Sequence, residues 1–177
     1  MSGDGARSVY LVRHAFAAHA DPARWPDDAR RPLTDDGIRR FRAAARGLRR
    51  LVPDVDLVLA SGYARSWQTA ELLHEVTRWP KPQECRALEP DRTPSAALGV
   101  LGEHTERSLA LVGHEPYLSR FASILCAGGD DVLQLELKKG AVAFLRIEDE
   151  VRPRSGSLGW AVSPKILRAL GGAHAVG

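Results

Sequence analysis

Val9-Tyr10-Leu11-Val12-Arg13-His14-Ala15 is the stretch that decides how this chain is read. Four apolar residues in a row, β-branched and aromatic side chains among them, predict a buried strand. An arginine and a histidine follow without a spacer, so both fall at the carboxyl edge of the sheet that the strand joins. In open α/β sheets that edge is where ligands bind. A guanidinium offers an oxyanion a planar fork of donors. A neutral imidazole can attack an electrophile near physiological pH. Arg13 and His14 are therefore the first candidate site residues.

Outward from that strand, residues 16–33 read as a long loop holding Pro22, Pro26 and Pro32 and charges of both signs. Loops of this length inside a compact domain are often functional. Thr34 is a good N-cap, with Asp35 and Asp36 where a helix dipole favours them. Ile38, Phe41, Ala45, Leu48 and Leu51 then recur at helical spacing until Pro53. Residues 57–60 form a second buried strand, Ser61-Gly62-Tyr63 a turn, and 64–76 a helix. Arg65 thus lies near a helix amino end, just past a strand's carboxyl end, again an anion-binding position.

Residues 79–94 read as loop, 95–101 as a short helix, and 108–112 as a third buried strand. Gly113-His114-Glu115-Pro116 and a helix over about 117–126 follow. Residues 133–137 and 141–147 look like a hairpin turning at Lys139-Gly140. Residues 151–159 are turn-rich, 160–162 a short strand, 164–170 a closing helix, and the Gly/Ala-rich tail is expected to fray. This alternation predicts an α/β fold: three layers, α/β/α, around a mostly parallel mixed sheet with antiparallel strands added at the end. A single domain is expected over 1–177, with its core over about 8–170.

Composition narrows the function classes. With 44% apolar and 27% charged residues the chain is an ordinary globular protein. A net charge of +3 without a basic stripe argues against a nucleic-acid partner. No apolar run approaches the ~18 residues that cross a bilayer. Cys85 and Cys126 form no CxxC and indicate no disulfide framework. Residues 1–8 hold no apolar segment of a secretory leader. A soluble cytoplasmic protein is expected.

Three strand ends converge in this reading: Arg13-His14, residues 61–65, and Gly113-His114. Two arginines and two histidines at one sheet edge suit a tetrahedral dianion. In phosphoryl transfer, charge spreads over the equatorial oxygens and must be neutralised. Arg13 and Arg65 can do this as bidentate donors, and His114 can hold a third oxygen. No metal or other cofactor is then needed, and no carboxylate cluster accompanies the histidines. His19, His74, His104 and His174 share no spacing and read as surface or packing residues.

The order of these motifs resembles a known family. Leu11-Val12-Arg13-His14, then Pro32-Leu33-Thr34 with Gly37, then Ser61, Arg65 and Gln68-Thr69-Ala70, then Val112-Gly113-His114 resemble the histidine phosphatase, or phosphoglycerate mutase-like, superfamily. The short length and the ending over 160–170 look most like its SixA-like phosphohistidine phosphatase branch. The resemblance implies a phosphoglycerate mutase-like fold, a phospho-accepting nucleophile at His14, and a phosphate pocket of Arg13, Arg65 and His114. It implies a covalent phosphohistidine that water hydrolyses.

The family's usual glycine after Arg-His is Ala15 here, a small cost. Larger members carry a carboxylic general acid; the candidates are Glu89 and Glu115, of which Glu115 also suits the first turn of a helix. An alcohol leaving group needs a proton donor, whereas an imidazole leaves far more readily. Only 49 positions (114 minus 65) separate Arg65 from His114, so no large cap subdomain is expected. An open site suits phosphate carried on a protein. The expected function is removal of a phosphoryl group from protein phosphohistidine, with a phosphorylated protein such as a His-containing phosphorelay domain as partner. The alternatives are a broad phosphomonoesterase on small phosphomonoesters and a phosphate-binding module that has lost turnover.

Overall fold

The apolar runs do become strands, and their two-residue period sorts the core. In the computed structural model, which describes residues 6–148 and 150–172, β1 is Arg7–Arg13, β2 Leu57–Ala60, β3 Gln83–Glu84, β4 Ser108–Gly113, β5 Val142–Ile147 and β6 Gly156–Val162. They form one sheet in the order β3-β2-β4-β1-β5-β6. The first four run parallel; β5 is antiparallel to β1, and β6 to β5. The helices are α1 Asp35–Leu51, α2 Ala64–Thr77, α3 Ala96–Glu103, α4 Tyr117–Ala127 and α5 Pro164–Gly172.

Side chains alternate across a strand. Val9 and Leu11 of β1 and Leu109 and Leu111 of β4 pack with Leu101, Leu118, Phe121 and Leu125 from α3 and α4. Val12, Val58 and Val112 face the other way, against Phe41 and Leu48 of α1, Leu73 of α2 and Leu167 of α5. Both faces are therefore covered, as parallel strands with continuous apolar runs require. The Thr34 hydroxyl caps α1 by accepting from the Gly37 amide at 3.0 Å. Leu51, last in that helix's apolar series, is exposed.

Two expectations are corrected. Residues 133–137 are not a strand: β5 pairs with β1 and β6, so the hairpin partner is β6, which begins at Gly156 within the stretch read as turns. The backbone over 133–137 is held by side chains instead. The Leu133 amide donates to Ser123 Oγ at 2.8 Å and the Leu137 amide to Glu115 Oε1 at 3.2 Å. The loop over 79–94 also contains β3 and a single 3-10 turn, Arg86–Leu88. The tail expected to fray lies, over 173–177, outside the described residues. No helix among the described residues is long and apolar enough to cross a membrane.

The ladder continues past the strand ends. Arg13 is in register with Gly113, the His14 amide donates to the Gly113 carbonyl at 3.0 Å, and the Ser61 amide donates to that of Val112, also at 3.0 Å. Residues 14, 61 and 114 are thereby set side by side at the carboxyl edge.

Candidate active site

His14 is 6% exposed and its ring lies 5.3 Å, centroid to centroid, from that of His114. Its Nδ1 is 2.7 Å from the Ala15 carbonyl oxygen. A carbonyl only accepts, so Nδ1 carries the proton and Nε2 keeps its lone pair. Burial pushes the imidazole's pKa down to about 3, the cations Arg65, Arg13 and Lys139 add to this, and the Ala15 bond opposes it. The ring is thus neutral at physiological pH.

His114 is 2% exposed, with Nε2 2.9 Å from Ser61 Oγ and 3.2 Å from Ser66 Oγ. Burial first, then His14 and Arg65, lower its pKa to about 2. The Tyr63 ring meets it edge-on at 5.2 Å.

The two arginines are anchored differently. Arg13 donates from Nη1 to the Leu137 carbonyl at 2.7 Å. Arg65, 5% exposed, donates from Nη1 to the Asp28 carbonyl at 2.9 Å, and its Nη2 lies 3.0 Å from Asp28 Oδ2. Asp28 opens a 3-10 turn, Asp28–Arg30, inside the long loop. Its Oδ1 also accepts from Arg31 Nε at 2.7 Å, and this bond leads the causes that hold its carboxyl below the usual range. Burial lowers the pKa of both Arg13 and Arg65 from a very high starting value.

Thr69 joins strand end to helix. Its Oγ1 accepts from the Ala15 amide at 3.0 Å and donates to the Arg65 carbonyl at 2.7 Å. Gln68 Oε1 accepts from the Leu33 amide at 2.8 Å and so ties α2 to the loop's far end. Ala15 is itself buried in the core, where its methyl fits.

The structure brings together Arg13, His14, Arg65 and His114. The carboxylic candidates stand apart. Glu115 accepts from the Ser119 hydroxyl at 2.6 Å and from the Leu137 amide, so it ties the first turn of α4 to the segment that anchors Arg13. Glu89 follows the 3-10 turn at 86–88, lies 3.8 Å from Arg92 and makes no hydrogen bond or ion pair with any of the four. Its charge reaches Tyr63, the ring that lies against His114. Sequence reasoning missed Asp28 and Ser66. Ser66 adjoins Arg65 and could have been suspected from that; a lone aspartate in a charged loop carries no such signal.

Around His14, three buried nitrogens have no hydrogen-bond partner: Nε of Arg13, Nε of Arg65 and Nδ1 of His114. Among the described residues, no three His, Cys, Asp or Glu side chains are placed to hold a metal ion.

This geometry has counterparts. Residues 9–89 match the sequence pattern of the Histidine phosphatase superfamily (branch 1). An uncharacterized protein of Picosynechococcus is 35% identical over 141 residues, 78% of this chain and 84% of that one. Phosphohistidine phosphatase SixA of Escherichia coli is 25% identical over 167 residues, 90% of this chain and 96% of its own. A solved structure of the protein histidine phosphatase SixA complexed with tungstate superimposes with a TM-score of 0.76 at 26% identity, covering 90% of this chain and 99% of that one. The chain belongs to the histidine phosphatase superfamily, branch 1, and is a SixA-like member of it.

Proposed function

We propose that this phosphatase removes the phosphoryl group from phosphohistidine on a protein, through a covalent intermediate on His14. The observation that carries this reading is the set of orphaned nitrogens on Arg13, Arg65 and His114. A buried donor without a partner costs roughly 1–3 kcal/mol. Three of them on the side chains flanking one imidazole are what a tetrahedral oxyanion would satisfy together. The SixA structure that resembles this chain holds tungstate, an anion of that shape.

The chemistry follows from the tautomer. The Nε2 lone pair of His14 attacks phosphorus in line. A nitrogen–phosphorus bond forms as the bond to the substrate's imidazole nitrogen breaks; the substrate ring carries a proton on its other nitrogen, so it leaves as neutral imidazole. The two guanidinium groups hold the equatorial oxygens where charge gathers. For His114 to donate from Nδ1, its Nε2 must accept, and the hydroxyls of Ser61 and Ser66 lie in place to donate to it. As His14 takes up the phosphoryl group its ring becomes cationic, and the Nδ1–H bond to Ala15 steadies that charge. Water then attacks phosphorus, phosphate leaves, and His14 returns to the neutral form. The chain's own cations supply the charge neutralisation that the step needs.

An imidazole leaving group that is already protonated needs little help from an acid, which fits a site where, among the described residues, neither Glu89 nor Glu115 is hydrogen-bonded to His14. The partner this favours is a phosphorylated protein such as a His-containing phosphorelay domain, which would place the chain in signal transduction in the cytoplasm. The test is a comparison of kcat/KM on a phosphohistidine-bearing phosphorelay domain, phosphoserine, phosphotyrosine and sugar phosphates. Preference for the phosphohistidine protein is expected; clear preference for a sugar phosphate would overturn the reading.

A further inference from the structure

Lys139 is a cation that none of the family's motifs accounts for. It sits in the turn before β5, and the next residue fastens that turn to the site. The Gly140 amide is shared between the carbonyls of Arg13, at 3.2 Å, and His14, at 3.1 Å. Gly140 has φ +80°, a conformation that suits glycine. The Lys139 ammonium lies 5.2 Å from the centre of the Phe16 ring, which is 42% exposed. Partial burial and the like charges of Arg13 and Arg31 lower its pKa. Among the described residues it has no ion-pair partner.

Beside it runs an open groove of about 680 Å³, walled by Phe16, His19, Arg24, Trp25, Arg31 and Lys139 among others. The acids near that groove are already engaged. Asp36 pairs with Arg39 and Arg40, Asp28 with Arg65 and Arg31, and Asp21 accepts from the Ala23 amide. Among the described residues, Lys139 and Arg24 are left with aromatic rings and no carboxylate. A cation held against like charges costs stability, and an anionic ligand removes that cost. The groove is also far larger than a phosphoryl group, and it begins beside the residues that would hold one.

We infer that Lys139, backed by Arg31, receives an acidic side chain flanking the phosphohistidine of the partner protein. This rests on the phosphohistidine reading above. The groove then takes the partner's neighbouring backbone, and Lys139 selects among phosphorylated proteins by the charge beside the modified residue.

The test uses two phosphohistidine peptides that differ only in Glu or Gln beside the modified residue, with phosphoramidate as a substrate that has no flank. For the wild type, kcat/KM should favour the Glu peptide about tenfold, the scale of a charge-assisted contact, mainly through KM. Lys139→Met should collapse the Glu-to-Gln ratio towards one, and Lys139→Glu should invert it. An unchanged ratio in Lys139→Met, or a wild type that does not separate the peptides, would overturn the proposal. So would an equal loss on the Glu peptide and phosphoramidate, since the ammonium would then serve the phosphoryl group itself. Discrimination of phosphoserine from phosphoethanolamine, without discrimination between the peptides, would assign the site to a small molecule's carboxylate and also overturn it. A wild type that turns over none of the phosphohistidine substrates would sink the functional reading, and the subsite with it.

Discussion

The carboxyl edge of the sheet and the loop over 16–33 both hold the site, by different means. At the edge, His14 and Ser61 are set by ladder bonds to β4, and Thr69 ties the strand end to α2 through two buried bonds. The loop's ends are closed by backbone bonds and Gln68, but its middle is pinned by charge: Asp28, whose side chain is 51% exposed, bridges the buried Arg65 and the loop's own Arg31. Buried backbone bonds fix positions and are insensitive to salt. An ion pair with one exposed partner is screened and worth little by itself. The edge is therefore built for reaction geometry, and the loop for contacts that can differ between substrates without disturbing it.

Variants can break this contrast from either side. Arg65→Ala removes a buried donor of the edge and should lower kcat/KM by roughly 10²–10³-fold. Arg13→Lys should cost a similar factor, because an ammonium cannot reproduce the fork that also holds the Leu137 carbonyl. Steady-state kinetics on phosphoramidate measures both. An effect below tenfold would mean that the arginines do not neutralise the transferred group.

The edge also has a pH signature above the range in which the loop's Asp28 takes up a proton. His14 and His114 are neutral when folded, with pKa values of about 3 and about 2, against 6.5 for the unfolded chain. The unfolded state therefore binds more protons below pH 6.5, and stability falls as pH drops from there towards 3. The slope is up to about 1.4 kcal/mol per pH unit for each histidine. Thermal unfolding between pH 7 and 5 should show a falling Tm, with a shallower fall in His114→Gln. Bound phosphate should offset the fall, because a dianion favours protonated imidazole.

A smaller effect is expected when the loop alone is loosened. Asp28→Asn removes the charge that Arg65 and Arg31 share. It should leave kcat within about threefold, as loss of a half-exposed ion pair allows. Limited trypsin digestion should meanwhile speed up at the loop's arginines. A large loss of kcat would show that the edge depends on the loop. The smallest effect belongs to Glu89→Gln: about twofold or less on phosphohistidine, and a greater loss on phosphoserine, whose alkoxide needs a proton. Equal losses on both would place Glu89 in the common reaction path.

What could be read from the sequence reflects the same contrast. Arg13-His14 directly follow one apolar run, His114 follows another after a single glycine, and Arg65 opens the helix that the turn after residues 57–60 leads into, so the strand ends locate all four without any knowledge of packing. The two faces of the sheet were legible for the same reason. The stretch 133–137 misled because Leu133, Leu135 and Leu137 alternate as a strand would. Leu137 does point into the core, but Glu115 and Ser123 take backbone amides that a ladder would have used. β3 is two exposed polar residues, paired only by edge position. Asp28 was invisible because its partner lies 37 residues away and is set by tertiary folding alone. The expected absence of a large cap agrees with what lies between Arg65 and His114, where β3 and α3 join the body of the fold.

The central claim is that His14 carries the phosphoryl group. Labelled phosphohistidine substrate, quenched within one turnover and digested, should yield a single acid-labile, base-stable label on the peptide containing His14, with none in His14→Ala and a loss of turnover of at least ~10³-fold. Turnover that proceeds with no label on that peptide, or at the wild-type rate in His14→Ala, would contradict it.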